Sequence, residues 1–391
     1  MLKLVLWDYT GQSASWCEQY LRSNVAQIVR TLKPDDPDQA EVIMRGDWDY
    51  VLIFADDDTK KVFDEMLATL QELNVSTDRI IFVDKLVDWS DNPAAAHLLL
   101  NPTKAERIFR WLTFANHRQW HRYAACEVDG LHYVATTADR YIVGYSYVTG
   151  KNYADDDMQV FHALTKKFYG VDDSDGYFLD LGANIGTTGV YFLRKLAPRL
   201  KLFAAEPDAE NFKLLRVNLI LNDLDTRTTL VNCGLGEDFD TLTMYRDLTN
   251  PGGNSVFHYL DGAPTETIQI APLDYLLAES SIAPEEVKYI WIDTEGFEPQ
   301  VLFGARNLLA RSNAPVFMEC NLLAWKKFGS FDRLIDLLAA VGYRHFISVD
   351  EHLQTRAEKI YPLYALKHFV KDAPPPLGQI GDIFLIKNLQ A

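Results

Sequence analysis

The residues best placed to do chemistry in this chain are carboxylates standing where apolar runs end. Phe178 to Phe192 reads FLDLGANIGTTGVYF, a predicted strand, a glycine-containing turn and a helix opening on Thr187 and Thr188. Glycines in such a turn let a ligand approach the backbone, and the free amides at the helix start offer hydrogen-bond donors. Asp180 precedes Gly182 by two residues, and Asn184 stands where a dinucleotide fingerprint would carry a glycine. A carboxylate there suits a cationic ligand better than a pyrophosphate. The next apolar run, Leu202 to Ala205, ends in Glu206-Pro207-Asp208, and an acidic side chain at the end of a second strand can accept hydrogen bonds from both ribose hydroxyls of an adenosine-containing ligand. Asp293, Glu295 and Glu298 then cluster at the end of a fourth predicted strand, and Glu319 and Asn321 end the next. These groups share the edge where ligands bind in open α/β sheets, and a carboxylate there could act as a general base toward a hydroxyl. The same cluster is a competing candidate for a divalent cation, though no residue is assigned as a metal ligand. Glu298 has a plainer alternative role as cap of the helix beginning near Pro299.

Taken in order, several segments resemble the FkbM family of S-adenosylmethionine-dependent methyltransferases. They are LDLGANIG (Leu179 to Gly186), AEPD (Ala205 to Asp208) with a following helix reaching Asn218 and Asn222, GGNS (Gly252 to Ser255) and Pro272-Leu273-Asp274. IDTEGFE (Ile292 to Glu298) followed by LFGA (Leu302 to Ala305), and MECN (Met318 to Asn321), complete the series. The resemblance covers about Tyr177 to Ser348. It implies an α/β, class I (Rossmann-like), seven-stranded methyltransferase domain, whose last, antiparallel strand is GDIFLIK (Gly381 to Lys387). It further implies that Gly182, Ala183, Asn184 and Gly186 line the methionine side of S-adenosylmethionine, that Asp180 holds its ammonium group directly or through water, and that Glu206 binds the ribose. Asn232, Cys233 and Gly234 follow the third strand, where the adenine should lie, with turn capping the alternative for Asn232. Asp293 and Glu295, with Glu319 third, are the candidates for acceptor contact or base catalysis. Thr294 departs from the pattern, which has an aliphatic residue there. His258 is an alternative base on the family pattern alone.

The activity so implied is methyl transfer to a hydroxyl oxygen, on a saccharide or another small metabolite. The cofactor carries the difficult chemistry and the protein aligns donor and acceptor. A nicotinamide-dependent oxidoreductase on the same sheet is one alternative, but it predicts glycine at position 184 and leaves IDTEGFE unexplained. A non-catalytic binding protein on a methyltransferase scaffold is the other.

These residues need a scaffold, and composition bounds it. The 391 residues, 48% of them apolar, carry 38 Lys+Arg against 55 Asp+Glu, a net charge of −17. That length favours two domains. The acidic balance disfavours nucleic acid, whose affinity comes largely from Lys and Arg. Cys17, Cys126, Cys233 and Cys320 form no CxxC pair, the N-terminal run MLKLVLW lacks a signal peptide's features, and no apolar stretch approaches the roughly 20 residues that span a bilayer. The expectation is a cytoplasmic protein with free thiols and no membrane span.

Short apolar runs at Leu2–Trp7, Tyr50–Ala55 and Ile80–Val83 alternate with helical spacing over Trp16–Leu32 and Val62–Leu73, which argues for a small parallel α/β unit. Its first loop, Asp8 to Ser13, lacks a glycine-rich phosphate turn. A helix over Thr103–Tyr123 and antiparallel strands over Ala124–Val148 follow, the latter from the alternation of Tyr141, Val143, Tyr145 and Tyr147. Met158–Tyr169 reads as a helix whose start explains the charge run Asp155–Asp157. The boundary is set near residue 150, dividing an N-terminal α/β domain of unassigned role (1–150), through which a homo-oligomer could form, from the methyltransferase-like domain (151–391). His117 and His121, four apart on the expected helix, lack the glutamate of a zinc-binding HExxH motif and read as surface or packing residues.

Overall fold

The computed structural model describes all residues except 10, 12, 22–25, 34–35, 55–69, 71, 74, 77–78, 84–120, 140–141, 248–249, 258–261, 322–323, 326–328, 330, 367–378 and 388–391. Contacts group the chain into two units, Met1–His121 with Tyr147–Thr149, and Arg122–Ser146 with Gly150–Ala391. The boundary expected near residue 150 therefore falls after a hairpin that belongs to the second unit.

In the first unit, β1 (Leu2–Asp8), β2 (Ala26–Leu32), β3 (Tyr50–Phe54) and β4 (Ile80–Val83) form a parallel sheet in the order β2-β1-β3-β4. Leu4 to Trp7 and Val51 to Phe54 are buried without alternation, as strands of a parallel sheet covered on both faces must be. The helix expected over Trp16–Leu32 is instead a short helix, Ser13–Tyr20, followed by β2. The β-branched pair Ile28 and Val29 favours extended backbone, and pairing with β1 completes it. The helices expected over Val62–Leu73 and Thr103–Tyr123 lie largely outside the described residues.

The second unit begins with a hairpin, β5 (Tyr123–Val128) and β6 (Leu131–Thr136). Asp129 and Gly130 turn it, both at positive φ (51° and 71°), the conformation that matches strand twist. Of the strand read from Tyr141 to Tyr147, Tyr141 lies outside the described residues, and Val143–Thr149 is a helix whose last three residues group with the first unit. Asp139 accepts the Ile142 amide at 2.8 Å where the chain turns in, and Gly150 closes the helix at φ 68°.

The main sheet uses β7 (Tyr177–Leu181), β8 (Lys201–Ala205) and β9 (Thr228–Val231). A small sheet of β10 (Gly234–Leu235), β11 (Asp240–Tyr245) and β12 (Thr265–Ala271) stands beside them in the order β10-β12-β11. The main sheet resumes with β13 (Val287–Ile292), β14 (Val316–Asn321), β15 (His345–Ser348), β16 (Tyr361–Pro362) and β17 (Gln379–Ile386). Its order is β16-β15-β17-β14-β13-β7-β8-β9. Five strands, β7, β8, β9, β13 and β14, run parallel, and β17 lies antiparallel to both β14 and β15. The sheet thus has eight strands rather than the expected seven. The extra one is β16, a two-residue edge strand on β15, where Tyr361 stacks on Phe346.

The helix Asp155–Tyr169 packs across this sheet. Its Phe161 sits 5.4–6.1 Å from the rings of Phe192, Tyr289, Trp291, Phe317 and Phe384. Trp291 and Phe317 stack at 3.9 Å on adjacent strands. An apolar floor therefore lies below the carboxyl ends of β13 and β14 and the amino end of β17.

Candidate active site

Strand order reverses at β7, with β8 on one side and β13 on the other, and the crevice this leaves at the carboxyl edge is the standard ligand position of open α/β sheets. A cleft opens there, lined by Gly182, Asn184, Glu206, Asn254, Asp293 and Glu295 among others. Gly182 has φ 91°, and a Cβ on it would lie 1.8 Å from the Asp293 carbonyl oxygen. Only glycine lets the turn pass so close to β13. The Gly182 and Ala183 amides both donate to the Ala205 carbonyl at 3.0 Å, which fixes the turn to the end of β8. Asn184 takes the left-handed region at φ 49°, and its amide donates to Glu206 Oε2 at 2.8 Å.

Glu206 is nearly fully buried. Its Oε1 accepts the Asp208 amide at 2.8 Å, so each oxygen takes one backbone donor and keeps acceptor capacity. Burial pushes its carboxyl up to about 8, the Asp208 and Asn184 amides pulling the other way. Below it, Asp208 is fully buried and caps the helix Ala209–Leu221 by accepting the Glu210 and Asn211 amides at 2.9 Å. Arg246 pairs with its Oδ2 at 2.9 Å, and Asn254 donates to the same oxygen at 3.1 Å. This knot ties the GGNS turn to β8.

Asn232 directs its Nδ2 to the carbonyls of Glu206 (2.8 Å) and Pro207 (3.1 Å). Its amide group thus braces the turn, and the next residues, Cys233 and Gly234, line the cleft. Asp180 is buried beneath the glycine turn rather than lining the cleft. One carboxylate oxygen accepts the Gly189 amide at 3.0 Å, and the other has no partner among the described residues. Burial, opposed by the Gly189 amide and helped by the nearby Asp293 charge, brings its carboxyl to about 7.

At the end of β13, Asp293 faces the open cleft while protein around it limits hydration, and its carboxyl rises to about 7, with Glu298 adding repulsion. Water in the cleft tempers that shift. Glu295 rises to about 8 through burial and the charges of Asp293, Glu298 and Asp247. Its φ of 51° is unusual for a non-glycine residue and costs on the order of 1–3 kcal/mol. Ser255 Oγ, donating to the Glu295 carbonyl at 2.9 Å, helps hold it. Glu298 supplies the rest of the clamp. Its Oε1 accepts from the Thr294 amide (3.1 Å), the Thr294 hydroxyl (3.1 Å) and the Gly296 amide (3.0 Å), while Oε2 accepts from Trp325 Nε1 at 2.8 Å. The departure at Thr294 thus has a use, since its hydroxyl joins that clamp.

Sequence spacing could not reveal how far the acidic group extends. Glu319 pairs with Asp382 across β14 and β17, and burial with the Asp293 charge lifts both carboxyls well above their usual range. Asp157, raised to about 6 by burial and Asp350, comes from the first turn of the helix Asp155–Tyr169. The expected strand GDIFLIK, set antiparallel to MECN, was the signal that would have placed Asp382 opposite Glu319. Among the described residues no three His, Cys, Asp or Glu are disposed to hold a metal ion. His258 and His117 lie outside the described residues, and His121 is exposed.

Residues 180–345 match the model of the methyltransferase FkbM domain. A methyltransferase, sdnD, from Sordaria araneosa is 34% identical over 83 residues, which cover 21% of this chain and 32% of that protein's length. Among solved structures, a methyltransferase FkbM from Methylobacillus flagellatus covers 98% of this chain and 89% of its own at 14% identity and TM-score 0.35. A SAM-dependent O-methyltransferase from Thermotoga maritima covers 68% and 78% at 13% identity and TM-score 0.32. Over residues 180–345, therefore, this chain is similar to the methyltransferase domain of the FkbM family.

Proposed function

We propose that the cleft at the carboxyl edge of β7 and β13 takes S-adenosylmethionine and that the chain methylates a hydroxyl oxygen, on a saccharide or another small metabolite. The observation that carries the cofactor reading is Asn184. Its Oδ1 is buried without a hydrogen-bond partner among the described residues, in a residue that lines the cleft, and so calls for a donor from a ligand. Glu206, which accepts the Asn184 amide, has further acceptor capacity for ribose hydroxyls, and Cys233 with Gly234 offers the wall for an adenine. Asp180 lies beneath the turn and favours a cation above it through its charge. When bound, S-adenosylmethionine supplies an electrophilic methyl group.

The chain's own task is then alignment and proton removal. Asp293 and Glu295 are the residues we assign to the acceptor, one holding its hydroxyl and one taking the proton as the new carbon–oxygen bond forms. Carboxyls raised to about 7 and 8 are matched to accept a proton near neutral pH. Glu319 extends the same acidic wall. A polyhydroxylated acceptor suits such a surface because each hydroxyl can donate to a carboxylate. Transfer of a labelled methyl group to a panel of glycans, nucleotide sugars and small hydroxylated metabolites, with and without EDTA, tests this reading. Labelled ether product, insensitive to EDTA, is expected. Transfer confined to nitrogen or carbon acceptors would refute the assignment to oxygen.

A further inference from the structure

Two buried asparagines, Asn218 in the helix Ala209–Leu221 and Asn222 at its C-cap, face the hairpin, and their bonds form a pattern. Asn218 Oδ1 accepts the Val134 amide at 2.7 Å, and its Nδ2 donates to the Val134 carbonyl at 3.1 Å. Asn222 treats His132 in the same way, accepting its amide at 3.0 Å and donating to its carbonyl at 2.7 Å. Residues four apart on a helix rise by about 6 Å, and alternate residues of a strand are separated by about 6.6 Å. The two carboxamides therefore act as a substitute strand on the open edge of β6. They differ in one respect. Asn218 Nδ2 also donates to the Ile185 carbonyl at 2.8 Å, inside the glycine turn between Asn184 and Gly186, whereas Asn222 turns its remaining donor to the Asn218 carbonyl at 2.7 Å.

We infer that Asn218 is a positioning residue for the cofactor turn, and that it makes the hairpin β5–β6 part of the binding apparatus although the hairpin precedes the matched family segment. This rests on the cleft taking S-adenosylmethionine. Asn184 holds a left-handed backbone, and its Oδ1 has no hydrogen-bond partner among the described residues to help fix it. The bond from Asn218 to the adjoining carbonyl, anchored at its other end to Val134, limits the turn's freedom and keeps the Asn184 amide on Glu206. Asn222 anchors the same hairpin without touching the turn and serves as an internal control.

The test is calorimetric titration of S-adenosylmethionine into the full-length wild type, Asn218→Ala, Asn218→Asp and Asn222→Ala, with thermal unfolding of each. Asn218→Asp keeps the side chain's size and its acceptor for the Val134 amide but loses the donor to the Ile185 and Val134 carbonyls. Both Asn218 variants are expected to weaken cofactor binding at least tenfold, and Asn222→Ala less than threefold, although Asn218→Ala and Asn222→Ala both lower the Tm. Lowered Tm with unchanged affinity in the Asn218 variants would overturn the inference, as would an equal loss of affinity in Asn222→Ala. A wild type that binds no cofactor would overturn the cofactor reading and this inference with it.

Discussion

Glu295 concentrates the chemistry of the site in one residue, with a left-handed backbone, a raised carboxyl and a place in the cleft wall. Its folded-state pKa of about 8 lies above the ordinary glutamate value of about 4.3. The native state therefore binds more protons than the unfolded one. The stability this contributes is complete below about pH 4 and is lost as pH rises through 8. Glu295→Gln removes the penalty of charging, so its Tm should match the wild type at pH 5 and exceed it by a few degrees at pH 8.5, as scanning calorimetry would reveal. The same substitution, and Asp293→Asn, should each lower kcat at least tenfold, and by about 10²–10⁴ for the residue that takes the proton. Steady-state kinetics alongside cofactor titration separates the two effects, since affinity for S-adenosylmethionine should change less than about threefold. Parallel losses of affinity and kcat would instead place these carboxylates in the cofactor's own contacts.

At the scale of elements, the loop from Asp293 to Glu298 depends on one buried carboxylate. Glu298→Ala leaves the Thr294 and Gly296 amides and the Trp325 indole N–H without their acceptor, and at about 1–3 kcal/mol for each unsatisfied buried group the loss should be roughly 3 kcal/mol or more. Denaturant unfolding measures it, and a loss below about 1 kcal/mol would mean that the clamp is redundant. What was legible here and what was not follows the range of the interaction. The glycine turn and the strand ends could be read because each depends on near neighbours and on period. The helix start at Asp155–Asp157 was likewise a local matter. By contrast, Asn218 meets Val134 across 84 residues of chain, and Asp208 takes Arg246 from just beyond β11. The tyrosine alternation from 141 to 147 misled because half-exposed side chains such as Tyr145 do not report the face of a sheet, while the Asp139 bond to the Ile142 amide ahead of the helix and the glycine stop after it favour the helix.

For the whole molecule, the two units are unequal in what they explain. The first is a four-stranded parallel sheet without a phosphate-binding turn in its described part, and the second holds every residue assigned to the cleft. The division between them matters in practice. A chain beginning at residue 122 keeps the hairpin, with Leu131 and Tyr133 buried in the methyltransferase core. One beginning at 151 leaves Asn218 and Asn222 without their partners on β6. The longer fragment should therefore unfold cooperatively at a clearly higher Tm, and equal Tm values would show that the hairpin is dispensable. The central claim is narrower still: the cleft between β7 and β13 holds S-adenosylmethionine through the glycine turn and Glu206. Calorimetric titration of the intact protein with S-adenosylmethionine tests it most directly. Saturable binding that is lost in Gly182→Trp and weakened at least tenfold in Glu206→Ala is the predicted result. No binding by the wild type, or binding unaltered by both substitutions, would contradict it.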